Sequence, residues 1–168
     1  MSFRLRDLTC DDLSLLERWL RAAHVRSAWG DPEENLRMLE EPPPEGSGRA
    51  VFEVDGRAVG LVLWQHPTRE ELDEAGLLDI PTGAIDIDIM IGEADAIGQG
   101  FGPQAIDRVA SVALSNPAVP FVMGCAEMDN LASQRAFGKA GFRRERTFGD
   151  GPDGLQVLMV RDRESEGA

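Results

Sequence analysis

Two aspartates and three alternating glycines lie close together in this sequence, and these residue types are suited to chemistry. Asp86 and Asp88 alternate with isoleucines in the run IDIDIMI. This alternation puts both carboxylates on the same face of a strand. The glycines follow in the run GQGFGP, which begins at Gly98 and ends at Pro103. Glycines let a backbone approach a ligand closely, and free N–H groups at a helix start attract anions. The pattern therefore predicts a phosphate-binding loop just after two carboxylates.

The glycine pattern alone leaves two interpretations open, a phosphate-binding loop or a tight strand-to-helix turn without a ligand. A dinucleotide-binding fold is disfavoured for two reasons. The preceding strand carries aspartates instead of a continuous apolar run, and no strand–glycine–helix unit opens the chain. Pro103 is predicted as the first helical residue, where its missing N–H has no intrahelical partner to lose.

Length and composition predict one domain spanning residues 1–168, with a frayed tail at 163–168. The chain is 42% hydrophobic, and no apolar run approaches membrane-spanning length. Its N-terminus becomes charged too early for a secretory signal. Cys10 and Cys125 show neither metal-ligand spacing nor a disulfide framework. We therefore expect a cytoplasmic protein with reduced thiols and no metal site.

The charge balance excludes some partners. Thirty acidic against seventeen basic residues give a net charge of −13. Nucleic acids and anionic membranes are disfavoured as partners, because binding them depends on Lys and Arg. A cationic small molecule would be attracted by such a field, although solubility alone also explains the charge.

The elements that position the aspartates and glycines follow a mixed order. Strands are predicted at Phe3–Arg6, Ala50–Val54, Arg57–Trp64, Ile85–Ile91, Pro120–Ala126, Arg143–Phe148 and Leu155–Arg161. Helix starts are predicted after Thr9, at Asp31, at Thr68, at the glycine loop and at Asp129 or Asn130. Antiparallel hairpins would surround a single β-α-β-α core, which predicts an α/β (α+β) fold with one mixed sheet.

Two motifs in the second half resemble the GNAT superfamily of N-acetyltransferases. The segment Asn130–Phe142, NLASQRAFGKAGF, resembles its pattern of Asn, a small residue, an aromatic and then Lys-x-Gly-Phe. The run GQGFG resembles the loop that binds the pyrophosphate of acetyl-CoA in that superfamily. The two motifs occur in the family's order and at a fitting distance.

The first half resembles one branch of that superfamily. Trp19-Leu20, His24 and Trp29-Gly30 are similar to the opening of bacterial aminoglycoside 6′-N-acetyltransferases and of siderophore-lysine acyltransferases. The aminoglycoside enzymes also carry an Ile-Asp pair ten residues before the glycine loop, as Ile87-Asp88 stands before Gly98 here.

The resemblance implies a GNAT fold, with a central splay in a mostly antiparallel sheet and about four flanking helices. It implies acetyl-CoA as donor and direct transfer to an amine of an aminoglycoside, an antibiotic-resistance activity. Two alternatives stay open. One is acylation of another amine (a siderophore hydroxylysine, a polyamine or a protein N-terminus), and the other is a CoA-binding module with little turnover.

The resemblance also assigns roles. Asp88 is the predicted proton acceptor, and a backbone N–H near Met90 or Ile91 is the predicted donor to the thioester oxygen. Many family members have a tyrosine where this chain has Phe137, and the chain contains no tyrosine. Ser133 or a water is therefore the candidate acid for the departing thiolate. The predicted cofactor-binding residues are Met90, Ile91, Gly98, Gln99, Gly100, Phe101, Gly102, Pro103, Asn130, Ser133 and Phe137.

The predicted acceptor pocket is acidic and would bind a cationic small-molecule amine. Its candidates are an aromatic side chain for stacking and carboxylates for ammonium groups, namely Trp29, Glu74, Asp79, Asp86, Asp88 and Glu127. Each carboxylate, taken singly, is also explained as a solvated surface residue. We expect a monomer or a homodimer.

Overall fold

A computed structural model describes residues 1–149 and 154–163 of the chain. Its seven strands are β1 (Phe3–Asp7), β2 (Gly48–Val54), β3 (Arg57–Gln65), β4 (Ile85–Ile91), β5 (Phe121–Glu127), β6 (Arg143–Phe148) and β7 (Gln156–Asp162). Its α-helices are α1 (Leu13–Arg21), α2 (Ala23–Trp29), α3 (Pro32–Glu40), α4 (Arg69–Glu74), α5 (Phe101–Leu114) and α6 (Leu131–Lys139).

All the strands belong to one sheet with the order β1-β2-β3-β4-β5-β7-β6. Every neighbouring pair is antiparallel except β4 and β5, which are parallel and are connected through α5. The predicted mixed, mostly antiparallel sheet is confirmed. The turn Asp55-Gly56 between β2 and β3 is also confirmed, with φ of +51° and +82° as the tightest hairpins require.

The sheet opens between β4 and β5, as predicted. The two strands pair only at Ile85–Val122 and Asp86–Met123. On its other side, β4 stays paired with β3 from Asp86 to Ile91. The carboxyl-terminal half of β4 therefore has a neighbour on one side only, and its remaining main-chain groups face an opening.

The two faces of β4 pack against different helices. Ile85 and Ile87 are buried in a core with α5 and α6, and Met90 is buried in a second core with α1, α2 and α3. Because side chains alternate along a strand, Asp86 and Asp88 lie on the same face as Met90.

The described residues contain six α-helices where the resemblance implied about four. The chain is extended at Ala22, with ψ of 138°, which separates α1 from α2. The acidic segment after Thr68 also forms a helix, and the Thr68 hydroxyl accepts a hydrogen bond from the Glu71 N–H as its cap.

Two calls on the C-terminal part have different outcomes. Arg163, where fraying was predicted to begin, donates to the carbonyls of Leu114, Asn116 and Val119 at 2.9 Å. The rest of the predicted tail, residues 164–168, and the centre of the predicted β6–β7 turn, residues 150–153, lie outside the described residues.

Candidate active site

The glycine loop leads directly into α5. Gly98 and Gly100 have left-handed φ values of +78° and +86°, which glycine adopts without steric cost. A Cβ at either residue would meet no protein atom within 4 Å, so this side of the loop is open space. The first N–H groups of the 14-residue helix α5 have no intrahelical acceptors. Together these features make an anion site from main-chain donors.

The prediction for Pro103 is wrong by two positions. The left-handed backbone of Gly100 turns the chain into the helix at Phe101, so Pro103 is its third residue. Proline is tolerated there for the predicted reason, because the first four N–H groups of a helix make no intrahelical bond.

A cleft of about 700 Å³ lies among α2, the end of β4, the glycine loop and α6, and we call it the loop cleft. Most of the predicted cofactor-binding residues line it, namely Met90, Ile91, Gly98, Gly100, Phe101, Gly102, Pro103, Asn130 and Ser133. Gln99 and Phe137 do not line it.

Phe137 is a core residue. Its ring occupies the space where a Cβ on Gly124 would lie, 2.3 Å from that position, and packs edge-on against Phe142 with centroids 5.1 Å apart. The ring therefore does not line the loop cleft, and its contact with the cofactor stays a prediction. The ring can lie in the core because Gly124 has no side chain.

Successive residues of β4 point their main-chain N–H and C=O groups alternately toward β3 and toward the opening. The Gly92 N–H donates to the Val59 carbonyl at 2.8 Å, so Met90, two residues earlier, also directs its N–H toward β3. The main-chain groups of Ile89 and Ile91 therefore face the opening. Of the two predicted amide donors, the register favours Ile91 over Met90.

Side chains of α2 bind the carbonyls on this open edge. His24 Nε2 donates to the Ile91 carbonyl at 2.9 Å, and Trp29 Nε1 donates to the Ile89 carbonyl at 3.3 Å. Helix α2 thus replaces part of the missing strand, but it satisfies acceptors only. The N–H groups of Ile89 and Ile91 are left facing the opening.

A second cavity of about 510 Å³, the aspartate cavity, lies beside Asp86 and Asp88. Glu71 of α4 and Glu127 at the end of β5 also line it. No Lys, Arg or His is found among its described lining residues. The cavity is therefore suited to a cation.

Burial and like charge act strongly on the two aspartates. Asp86 Oδ1 is buried and has no hydrogen-bond partner among the described residues. Burial raises the pKa of Asp86 well above its ordinary value, and the charges of Asp88 and Glu71 add to the rise. The Asp88 side chain is exposed to the cavity, but the protein atoms around the cavity displace bulk water from it, and this desolvation raises its pKa to about 6. An unpaired buried carboxylate beside a second one needs a cation or a proton.

Cys125 also lines the aspartate cavity. Burial, followed by the charges of Asp86 and Asp88, raises the pKa of its thiol. Cys125 is therefore a neutral thiol at physiological pH and not a nucleophile.

The two cavities share a boundary. The residues that line both are Ala28, Trp29, Ile89, Glu127, Asn130 and Ser133. Asn130 caps α6 by accepting the Ser133 N–H at 3.2 Å, so the cap fixes the start of this helix at the boundary. Ligands held in the two cavities would meet beside Ser133 and the open edge of β4.

Two predicted acceptor residues lie elsewhere. Glu74 and Asp79 line neither cavity. Asp79 forms an ion pair with Arg146 of β6. Glu71 of α4, from the same acidic segment, lines the aspartate cavity together with Asp86. The sequence pointed to this segment, but it did not show which residues of the six-residue helix face the cavity.

The lining residues of the loop cleft that had no predicted role include all of its described His, Arg and Lys side chains, namely His24, Arg135 and Lys139. Arg135 stands next to Ala136, and Lys139 stands six residues after Ser133. Arg135 and Lys139 are four residues apart, so helical periodicity puts them on the same side of α6, and this signal was available in the sequence.

Within residues 1–149 and 154–163, no helix is long and apolar enough to cross a membrane. The same residues contain no group of three or more His, Cys, Asp or Glu side chains that could hold a metal ion.

The fold and the glycine loop define a class of protein. A family model described as an acetyltransferase (GNAT) domain matches residues 9–149. The chain belongs to this family of acetyltransferases. The predictions of the family and of its acetyl-CoA donor are confirmed.

The chain is similar to particular members of the class. It is 26% identical to an aminoglycoside N(6′)-acetyltransferase type 1 of Klebsiella pneumoniae, over 98% of this chain and 85% of the relative. It is 30% identical to a kanamycin resistance protein of Rhizobium radiobacter, over 49% of this chain and 76% of that protein. A crystal structure of the aminoglycoside acetyltransferase AAC(6′)-Ib with coenzyme A superposes with a TM-score of 0.82 at 25% identity, covering 96% and 95% of the two chains.

The loop cleft fits acetyl-CoA on its own geometry. The open, left-handed glycine loop and the start of α5 suit a pyrophosphate, and Arg135 and Lys139 add positive charge to the same cleft. The N–H groups on the open edge of β4 suit carbonyl oxygens of an extended ligand.

Proposed function

We propose that this acetyltransferase transfers the acetyl group of acetyl-CoA to the 6′-amine of an aminoglycoside antibiotic. The observation that carries the proposal is the buried, unpartnered Asp86 Oδ1 in a cavity lined by four carboxylates and no basic side chain among its described residues. The names of the similar enzymes support the choice of aminoglycosides and of the 6′ position.

The donor side of the reaction rests on main-chain groups. Acetyl-CoA supplies, when bound, an acetyl group activated as a thioester. The glycine loop and the N-terminus of α5 would hold its pyrophosphate, and the Ile91 N–H would donate to the acetyl oxygen as that oxygen gains negative charge. A preorganised donor of this kind lowers the barrier because it needs no reorganisation during the reaction.

The acceptor side rests on Asp88. An amine reaches the enzyme as an ammonium ion and must lose a proton before its nitrogen can form a bond to the acetyl carbon. With a pKa of about 6, Asp88 is mostly a carboxylate at neutral pH and is basic enough to take that proton, directly or through a water. As the amide forms, the nitrogen loses its second proton, the carbon–sulfur bond breaks and the sulfur takes up one proton, so the net proton released is the one that Asp88 holds. Ser133, at the boundary of the two cavities, is our candidate to deliver the proton to the sulfur, because Phe137 carries no hydroxyl.

The other carboxylates explain a preference for polycations. Asp86, Glu71 and Glu127 can each accept charge-assisted hydrogen bonds from an ammonium group. Trp29 is half-buried at the boundary, with its ring lining both cavities, and offers a surface for a sugar ring. A substrate with several amines spaced along a rigid frame would satisfy more than one of these groups at once.

The test uses two aminoglycosides that differ only at the 6′ position, one carrying an amine and the other a hydroxyl. We expect acetyl-CoA-dependent thiol release with the amine and none with the hydroxyl. Turnover with a diamine or a lysine derivative but not with either aminoglycoside would overturn the choice of substrate. Absence of turnover with every amine, while CoA still raises the melting temperature, would overturn the enzymatic proposal.

Location and assembly belong to the same proposal. We place the protein in the cytoplasm, where acetyl-CoA is available and where a drug would otherwise reach the ribosome. Acetylation removes a positive charge and so weakens the drug's binding to anionic RNA. We propose a monomer or a homodimer, which sedimentation of the purified protein distinguishes.

A further inference from the structure

Two basic side chains stand out in the loop cleft of this strongly acidic protein. Arg135 and Lys139 of α6 both line the cleft, and both side chains are exposed. Neither forms an ion pair with any carboxylate in the described part of the chain, whereas arginines such as Arg143 and Arg146 do. Glu127 and Asp129 line the same cleft but form no ion pair with these two cations, which are therefore available to bind an anion.

The packing of α5 against α6 puts these cations beside the glycine loop. A Cβ on Gly102, in the first turn of α5, would lie 3.8 Å from the Cβ of Ala136. Arg135 precedes Ala136 directly, and Lys139 follows it by one helical turn, on the same side. The two side chains therefore flank the point at which α6 contacts the anion site of α5.

The distance along α6 separates Lys139 from the reacting end of the cleft. Ser133 lies at the boundary with the aspartate cavity, where the acetyl group must be delivered. Lys139 is six residues further on, which is about 9 Å along the helix axis. Lys139 thus lies toward the end of the cleft that the nucleotide part of the donor must occupy, and Arg135 lies one helical turn before it on the same side of α6.

We infer that Arg135 and Lys139 form a second phosphate site in the loop cleft, which binds the ribose 3′-phosphate of CoA. The main-chain donors of the glycine loop and of α5 already suit the pyrophosphate. The 3′-phosphate is a separate dianion, and long cationic side chains are the groups that reach and neutralise it. This site makes the enzyme discriminate CoA from 3′-dephospho-CoA, whichever amine is acetylated.

The test measures equilibrium binding of CoA and of 3′-dephospho-CoA by calorimetry, without any acceptor. We expect the wild type to bind CoA roughly tenfold more tightly than dephospho-CoA. In the variant Arg135→Ala/Lys139→Ala the two ligands should bind equally, because only the affinity for CoA falls. The affinity for dephospho-CoA should stay near its wild-type value.

A matched control removes the same charge elsewhere. Arg37→Ala/Arg144→Ala deletes two exposed arginines that line neither cavity, and it should keep the full discrimination. Equal loss of affinity for both ligands in the α6 variant would overturn the inference and assign the cations to the pyrophosphate. Equal binding of both ligands by the wild type would also overturn it. Neither result depends on which substrate the aspartate cavity accepts.

Discussion

The loop cleft and the aspartate cavity meet at one boundary but are built in different ways. The loop cleft binds through its backbone, with left-handed glycines, the start of α5 and the open edge of β4. The aspartate cavity binds through side chains, four carboxylates contributed by three separate elements. A backbone site tolerates many side chains as long as the chain path is kept. A side-chain site changes its specificity with each substitution.

The comparison also concerns charge. Two cations, free N–H groups and two carboxylates, Glu127 and Asp129, line the loop cleft, whereas four carboxylates and no described basic side chain line the aspartate cavity. One of those four carboxylates, Asp86, has an unpartnered buried oxygen. A polyanionic donor and a polycationic acceptor are thereby directed to opposite sides of the boundary at Ser133. Variants in one cavity should therefore leave binding in the other unchanged.

The largest effect is expected from Asp88→Asn. Loss of the proton acceptor should lower kcat by about 10²–10⁴-fold, while the affinity for CoA, measured by calorimetry, should stay within twofold of wild type, about the error of such a comparison. Asp11→Asn, an exposed aspartate outside both cavities, is the control and should change neither quantity. If Asp88→Asn also lost CoA affinity, the donor and the acceptor would not be bound by separate cavities.

The pH dependence tests the same residue without a substitution. Because burial raises the pKa of Asp88 to about 6, its carboxylate takes up a proton as the pH falls through that value. We expect kcat/KM for the acceptor to rise with pH up to about 6 and to fall roughly tenfold per unit below it. The titratable groups around it are Glu71, Asp86, Cys125 and Glu127. If the fall of kcat/KM below pH 6 persists unchanged in Asp86→Asn, the titrating group is Asp88. If the fall disappears in that variant, the assignment to Asp88 is contradicted.

On the donor side, Gly100→Ala should raise the Kd for CoA about tenfold. A left-handed alanine costs about 1–2 kcal/mol, and its methyl group would enter the open side of the loop. The matched control is Gly56→Ala in the β2–β3 turn, which has a φ of +82° and similarly open surroundings. The control should lose stability without losing CoA affinity. The KM for the acceptor should be the same in both variants.

The smallest expected effect is a gain in stability. Asp86 is half-buried with one fully buried oxygen, and its pKa is raised, so its ionised form destabilises the fold at pH 7. Asp86→Asn should therefore raise Tm by roughly 2–8 °C. The gain should shrink as the pH falls, because the wild-type carboxyl then takes up a proton. The KM for a polycationic acceptor should rise at the same time. A Tm that falls instead would show that Asp86 has a stabilising partner.

The sequence alone predicted the strand of alternating aspartates, the glycine loop and the mixed sheet, because period-two alternation and left-handed turns are local properties. It could not predict how far β4 and β5 pair, since pairing depends on partners distant in the chain. The buried position of Phe137 also depends on a distant residue. Its ring is buried because Gly124, on another strand, leaves room for it.

The acidic segment shows the limit of the sequence at the site itself. The sequence analysis named Glu74 and Asp79 of the acidic segment around α4, whereas Glu71 of that segment is the residue that lines the aspartate cavity. The choice among Glu71, Glu74 and Asp79 depends on the orientation of a helix of six residues and on the ion pair of Asp79 with Arg146. Neither is encoded within the segment.

The half-satisfied edge of β4 makes three consecutive amides behave differently toward deuterium. The Met90 N–H is directed into the sheet, and its exchange with solvent should be slow whether or not a ligand is bound. The N–H groups of Ile89 and Ile91 face the opening beside carbonyls that His24 and Trp29 already bind. Their exchange should be fast in the free enzyme and slow once a donor molecule fills the opening. The exchange rates of the Ile89 and Ile91 amides would then report whether a donor is bound, and the Met90 amide between them would serve as the reference.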